Sequence, residues 1–109
     1  MKLYLFEYLN WLDFIILETT ILSTSRKVDI KQIKWETDKI KLVSVRYIRQ
    51  RIERLREKGI LKTTCENPLI VKINQPLYRQ TILLYQAYMG WEEARKKLIM
   101  EKIKKEGVI

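Results

Sequence analysis

A single, mainly α-helical domain with one small β-hairpin is the fold class that this chain of 109 residues predicts. Three observations carry that reading. Apolar residues recur at 3-4 spacing in several segments, which is the helical period. Cap and stop residues mark where those segments begin and end. Only one stretch, residues 60–73, shows two short β-prone runs around a turn. The composition, 47% hydrophobic and 32% charged, is that of a folding chain rather than a disordered one.

The first helix is expected over residues 3–22. Leu5, Leu9, Leu12 and Ile16 follow the 3-4 spacing, and Phe6, Ile15 and Leu22 widen the apolar arc. Glu7, Asn10 and Phe14 line the narrow opposite side. So wide an arc exceeds what one small core needs. Ser23-Thr24-Ser25 reads as a loop. A second helix starts at Asp29, where Asp29 and Gln32 have capping-box spacing and Val28 and Ile33 have that of a hydrophobic staple. It is expected to run to about Lys39.

A third helix starts at Ser44, a good N-cap, with Val43 and Ile48 as a second staple. Val45, Ile48, Ile52 and Leu55 form its apolar stripe, and Gly59 with Ile60 predicts a Schellman closure. Ile60–Thr64 and Leu69–Ile73 read as strands around the turn Cys65-Glu66-Asn67-Pro68. Pro76 opens a C-terminal helix, in which Leu77, Leu84, Trp91 and Leu98 recur every seven residues with Tyr88 between two of them. Gly90 marks the point where this helix is expected to kink or split.

Charge narrows the function classes. The 22 Lys+Arg against 13 Asp+Glu give a formal charge of +9, which suits a polyanionic partner, nucleic acid first and an anionic membrane second. That charge is uneven: residues 1–25 carry one Lys against three acids, whereas residues 42–64 carry seven basic residues against two acids. Cys65 is the only cysteine and there is no His, so an internal disulfide and the usual zinc sites are excluded and no metal or cofactor is expected. Glu7, Asp13 and Glu18 interrupt the apolar run 3–22, which argues against a membrane span. The N-terminus lacks a signal-peptide pattern, so the chain is read as cytoplasmic. The Ile-, Lys-, Arg- and Glu-rich make-up points toward a hot environment. No phosphate loop, His base or paired-carboxylate motif is present, so no enzymatic activity is expected.

The stretch Ser44–Lys62, Ser-Val-Arg-Tyr-Ile-Arg-Gln-Arg-Ile-Glu-Arg-Leu-Arg-Glu-Lys-Gly-Ile-Leu-Lys, carries a resemblance. A Ser cap, an exposed basic face with Arg46, the core pair Ile52 and Leu55, then Lys58-Gly59-Ile60-Leu61 resemble the recognition helix and first wing strand of winged helix-turn-helix regulators of the MarR, ArsR and PadR kind. The resemblance covers about residues 28–74. It divides the single domain 1–109 into an N-terminal helix (1–25), a helix-turn-helix and wing (28–74) and a C-terminal helix (76–106). It implies sequence-specific binding of double-stranded DNA by a transcription regulator, more often a repressor, working as a homodimer.

The helical wheel of the third helix agrees. Arg46, Tyr47, Gln50, Glu53, Arg54 and Glu57 lie opposite the apolar stripe at about 100° per residue. Arg46, Tyr47, Gln50 and Arg54 are the candidates for base edges, since Arg pairs with guanine and Gln with adenine. Ser44, Arg49, Arg51, Lys31 and Lys34 are the candidates for phosphates. Lys62, Asn67 and Lys72 belong to the wing. Glu53 and Glu57 repel phosphate, and two roles are open to them: holding Arg49, Arg54 or Lys58 on the same helix, or, for Glu53, accepting from cytosine. Leu9, Trp11, Leu77, Leu84, Tyr88, Trp91 and Leu98 are the candidates for a dimer interface between the terminal helices. No residue signature names a small-molecule effector. Two other readings stand beside this one: a winged-helix interaction module in a larger nucleic-acid assembly, and an RNA- or ribosome-associated basic protein.

Overall fold

Among the described residues, five helices and a small antiparallel sheet follow one another as α1 (Trp11–Leu22), β1 (Lys27–Asp29), α2 (Ile30–Asp38), α3 (Val45–Glu57), β2 (Leu61–Glu66), β3 (Leu69–Ile73), α4 (Tyr78–Tyr88) and α5 (Trp91–Lys105). This computed structural model describes residues 9–105 apart from 24, 26, 77 and 89, and the side chains of residues 81, 84, 85 and 88 are also outside the description. The mainly helical class with a β-hairpin therefore holds, with a third strand added.

α1 starts later than its apolar pattern suggests. Asn10 is extended and caps the helix: its Oδ1 accepts from the Asp13 amide at 3.0 Å, and Asp13 Oδ2 accepts from the Asn10 amide at 2.9 Å. Of the expected helix 3–22, residues 3–8 lie outside the described residues. Most of the described part of the wide apolar arc serves this chain's own core, whereas Leu22, 73% exposed, does not. Leu12, Phe14, Ile15, Ile16, Leu17 and Ile21 are all buried, because α1 is the central helix and packs against α2, α3, α4, α5, β1 and β3. Phe14, expected on the polar side, is 6% exposed.

α2 and α3 form as their caps dictate. Asp29 Oδ1 accepts from the Gln32 amide at 2.8 Å, and Ser44 Oγ accepts from the Tyr47 amide at 3.1 Å. Val28, Ile33, Ile48, Ile52 and Leu55 are buried. Val45 is not: it is 40% exposed, so the apolar stripe of α3 begins at Ile48. Gly59 closes α3 at φ +79°. The amide of Ile60 donates to Leu55 O at 3.0 Å and that of Gly59 to Arg56 O at 2.9 Å, which completes the Schellman motif.

The sheet has the order β1-β3-β2, both pairs antiparallel. Leu61, Leu69, Val71, Ile73 and Val28 point into the core, so one face of the sheet is covered by helices and the other is open. Asn74 pins the end of β3 to the closure of α3, with its Nδ2 donating to Gly59 O at 2.9 Å. The expected C-terminal helix is split at Gly90, which has φ +68°. The heptad of leucines and Trp91 therefore does not run down one continuous helix. Trp91 opens α5 and is 2% exposed, with its ring 5.3 Å from that of Phe14. Glu18 clamps α5 to α1, accepting from Trp91 Nε1 at 3.2 Å and from Arg95 Nη1 at 2.5 Å.

Candidate nucleic-acid interface

α3 is positioned from both sides. Its buried stripe locks it into the core, and a buried ion pair sets its rotation against α1. Arg51 donates through Nε to Asp13 Oδ1 at 2.8 Å and through Nη2 to Asp13 Oδ2 at 2.5 Å. Asp13 is fully buried and the Arg51 side chain is 18% exposed. The hydrogen bond to Asp13 raises the Arg51 pKa above its ordinary value against the opposing effect of burial. This corrects the expectation that Arg51 meets phosphate, because its fork is already filled by a carboxylate. Beside it, Tyr47 is half-buried against the core, and its hydroxyl accepts from Asn10 Nδ2 at 3.1 Å. Tyr47 thus stands at the edge of the exposed face rather than on it.

With that rotation, α3 turns Arg46, Arg49, Gln50, Glu53, Arg54 and Glu57 outward, all exposed. The outer arc from Arg49 to Arg54 spans about 140° at 100° per residue. Tyr47, Gln50, Arg51, Glu53, Arg54 and Glu57 line a shallow depression of about 400 Å³ along the helix. Ser44 is exposed at the start of α3, Lys31 in the first turn of α2, and Asn67 at the hairpin turn.

Lys34, like Arg51 a predicted phosphate ligand, is committed within the fold. Its Nζ donates to Asp38 Oδ1 at 2.6 Å and to Val43 O at 2.8 Å, which ties α2 to the segment leading into α3. Glu53 pairs with Arg56 rather than with Arg49 or Arg54, at 3.4 Å. Arg56 also reaches Glu66 at 3.5 Å and so links the flank of α3 to the end of β2. Arg46, Arg49, Arg54 and Lys31 have no ion pair among the described residues.

Lys62 and Lys72 lie on the open face of the sheet, directly opposite each other in the β2–β3 register, with Lys27 of β1 opposite Lys72 on the other side. Lys27 is absent from the sequence-derived site. A three-residue strand with a single inward apolar residue, Val28, gives too short an alternation to reveal itself. The Asp13 anchor has a legible signal, the Asn10-x-x-Asp13 cap spacing, which the apolar run from residue 3 obscures.

Of the expected dimer residues, Leu9, Trp11 and Leu98 are half-buried against the core of this chain. Trp91 is a core residue and has no surface to offer a second copy. Leu77 lies outside the described residues, as do the side chains of Leu84 and Tyr88. Among the described residues no group of three His, Cys, Asp or Glu side chains is placed to hold a metal ion, and no helix is long and apolar enough to cross a membrane. No family model matches the chain, and neither curated proteins nor solved structures give a match.

Proposed function

We propose that this chain is a winged helix-turn-helix protein that binds double-stranded DNA sequence-specifically, with α3 as the recognition helix, and regulates transcription, as a repressor more readily than as an activator. One observation carries the reading: the sorting of charge on α3. Inward and flanking arginines are paired, Arg51 with Asp13 and Arg56 with Glu53 and Glu66. The outward Arg46, Arg49 and Arg54 carry no such partner among the described residues, and they surround Gln50. Unpaired guanidinium groups beside an amide, on one exposed helix, suit the base edges and flanking phosphates of a major groove about 12 Å wide.

The order of elements supports the same reading. Two helices joined by a short turn are followed by a hairpin beside the second of them. Arg46, Gln50 and Arg54 are assigned to bases, with Tyr47 at their edge. Ser44, Arg49 and Lys31 are assigned to phosphates. A homodimer belongs to the proposal, formed through α4 and α5, where Leu83 and Met100 are exposed. An interaction module of a larger nucleic-acid assembly is the second reading, favoured by Glu53 and Glu57 on the same exposed face.

The test is a paired substitution. Gln50→Ala should change the preferred sequence, whereas Lys31→Ala should weaken all duplexes alike and flatten the salt dependence by about one unit of slope. If both variants act identically, the assignment of the reading face fails.

A further inference from the structure

We propose that the open face of the sheet is a phosphate-binding face, on which Lys27, Lys72 and Lys62 together grip the phosphodiester backbone of a DNA duplex. The inference rests on the duplex-binding reading and adds to it a contact that neither α3 nor the hairpin turn makes.

The register carries the argument. Lys27 pairs with Lys72 across β1 and β3, and Lys62 pairs with Lys72 across β2 and β3. Three ammonium groups therefore stand in one row, one from each strand. Strands lie about 4.8 Å apart, so the row covers roughly 10 Å. Like charges directly opposite one another in a sheet are destabilising. The central Lys72 feels this most: Lys62 first, then desolvation and Lys27, hold its ammonium below its ordinary pKa. Among the described residues none of the three lysines has a carboxylate partner. The next row on the same face is Asp29, Ile70 and Cys65, and Asp29 is occupied in capping α2.

An anion laid across the row would turn a mutual repulsion into a shared attraction. A DNA strand carries about one charge per 3.4 Å of axis, so a row of this width meets two or three successive phosphates. Lysine suits the task, because its ammonium is a point charge on a flexible stem and holds phosphate without reading bases. The opposite side of the sheet is packed on the helices. The row thus offers contacts that the outer arc of α3 does not make.

The experiment compares two triple variants of equal charge change. One is Lys27→Gln, Lys62→Gln, Lys72→Gln; the control is Lys97→Gln, Lys104→Gln, Lys105→Gln on exposed positions of α5. The slope of log affinity against log salt is measured on one fixed duplex. The row variant should lower the slope by roughly 2 to 3, at about 0.9 per phosphate contact, and leave the preferred sequence unchanged. Equal shifts in the two variants overturn the inference, as does an unchanged slope in the row variant. Row-dependent binding to vesicles of phosphatidylserine with an unchanged duplex slope overturns it in favour of a membrane surface.

A titration with inorganic tripolyphosphate, followed by lysine side-chain NMR, separates this inference from the one it rests on. Saturable movement of the Lys72 resonance, lost in the row variant, supports a phosphate-binding row. If the chain does so yet binds no duplex, the DNA-binding reading fails and the duplex fails with it as the occupant of the row; an unchanged slope in the row variant of a chain that does bind duplex overturns the row's contact alone. A Lys72 resonance that does not respond overturns the row.

Discussion

Arg51→Ala should be among the most damaging changes on α3, although the residue sits on a helix whose other arginines face outward. The substitution strips a bidentate partner from Asp13, which is fully buried and keeps only the amide of Asn10 as a donor among the described residues. Breaking a buried pair from one side costs about 3–5 kcal/mol, and the 18% exposure of the Arg51 side chain argues for about 3. For 109 residues the unfolding entropy is about 0.23 kcal/mol/K, so the melting temperature should fall by roughly 13 °C. The double variant Asp13→Leu, Arg51→Met fills the same space with apolar groups. It should recover all but about 1 kcal/mol, the share of the lost cap on Asn10. Thermal and urea unfolding of the two variants and the parent measure both numbers. A fall of less than about 4 °C for Arg51→Ala would place the pair in the range of surface ion pairs and refute the reasoning. So would a flatter salt dependence of duplex binding in Arg51→Ala, since a structural arginine leaves that slope alone.

Two further outcomes follow from the backbone and the sheet. Gly59→Ala forces a Cβ into the left-handed region at φ +79° although the space around it is open, so the loss comes from backbone strain alone. It should cost about 1–2 kcal/mol, read from the urea midpoint, and a neutral substitution would contradict the Schellman assignment. Lys72→Gln should stabilise the chain at neutral pH. Folded Lys72 releases its proton below the 10.5 of the unfolded side chain. Its unfolded form therefore binds more protons in the window just under that value, and stability rises there with pH. The repulsion is fully present at pH 7. Urea midpoints from pH 7 to 10 should show the gap between variant and parent narrowing as pH rises, and a variant no more stable than the parent at pH 7 would contradict the row.

Most of the fold is legible in the sequence because its boundaries are set locally. Ser44, Asp29, Gly59 and Gly90 act through their own backbone and the next turn, and each marks an element edge in the structure. What is not legible depends on distant partners. The apolar run from residue 3 hides the cap at Asn10, since periodicity does not show where the chain enters the core. The excess apolar arc of α1 looks like an interface until six other elements are seen to pack against most of it. Arg51 and Lys34 have the composition of phosphate ligands, but Asp13 lies 38 residues away in sequence and Val43 lies across a turn. Lys27 joins Lys72 only through a strand pairing of three residues. The outward residues Arg46, Gln50 and Arg54 keep their place because a helical wheel is itself local.

Selection of bound sequences from a random duplex library, with the unmodified chain, tests the central claim most directly. The account predicts an enriched motif, arranged as a palindrome with half-sites about one helical turn apart, and loss of that motif in the Arg46→Ala, Gln50→Ala double variant. No enrichment over random duplex would contradict it.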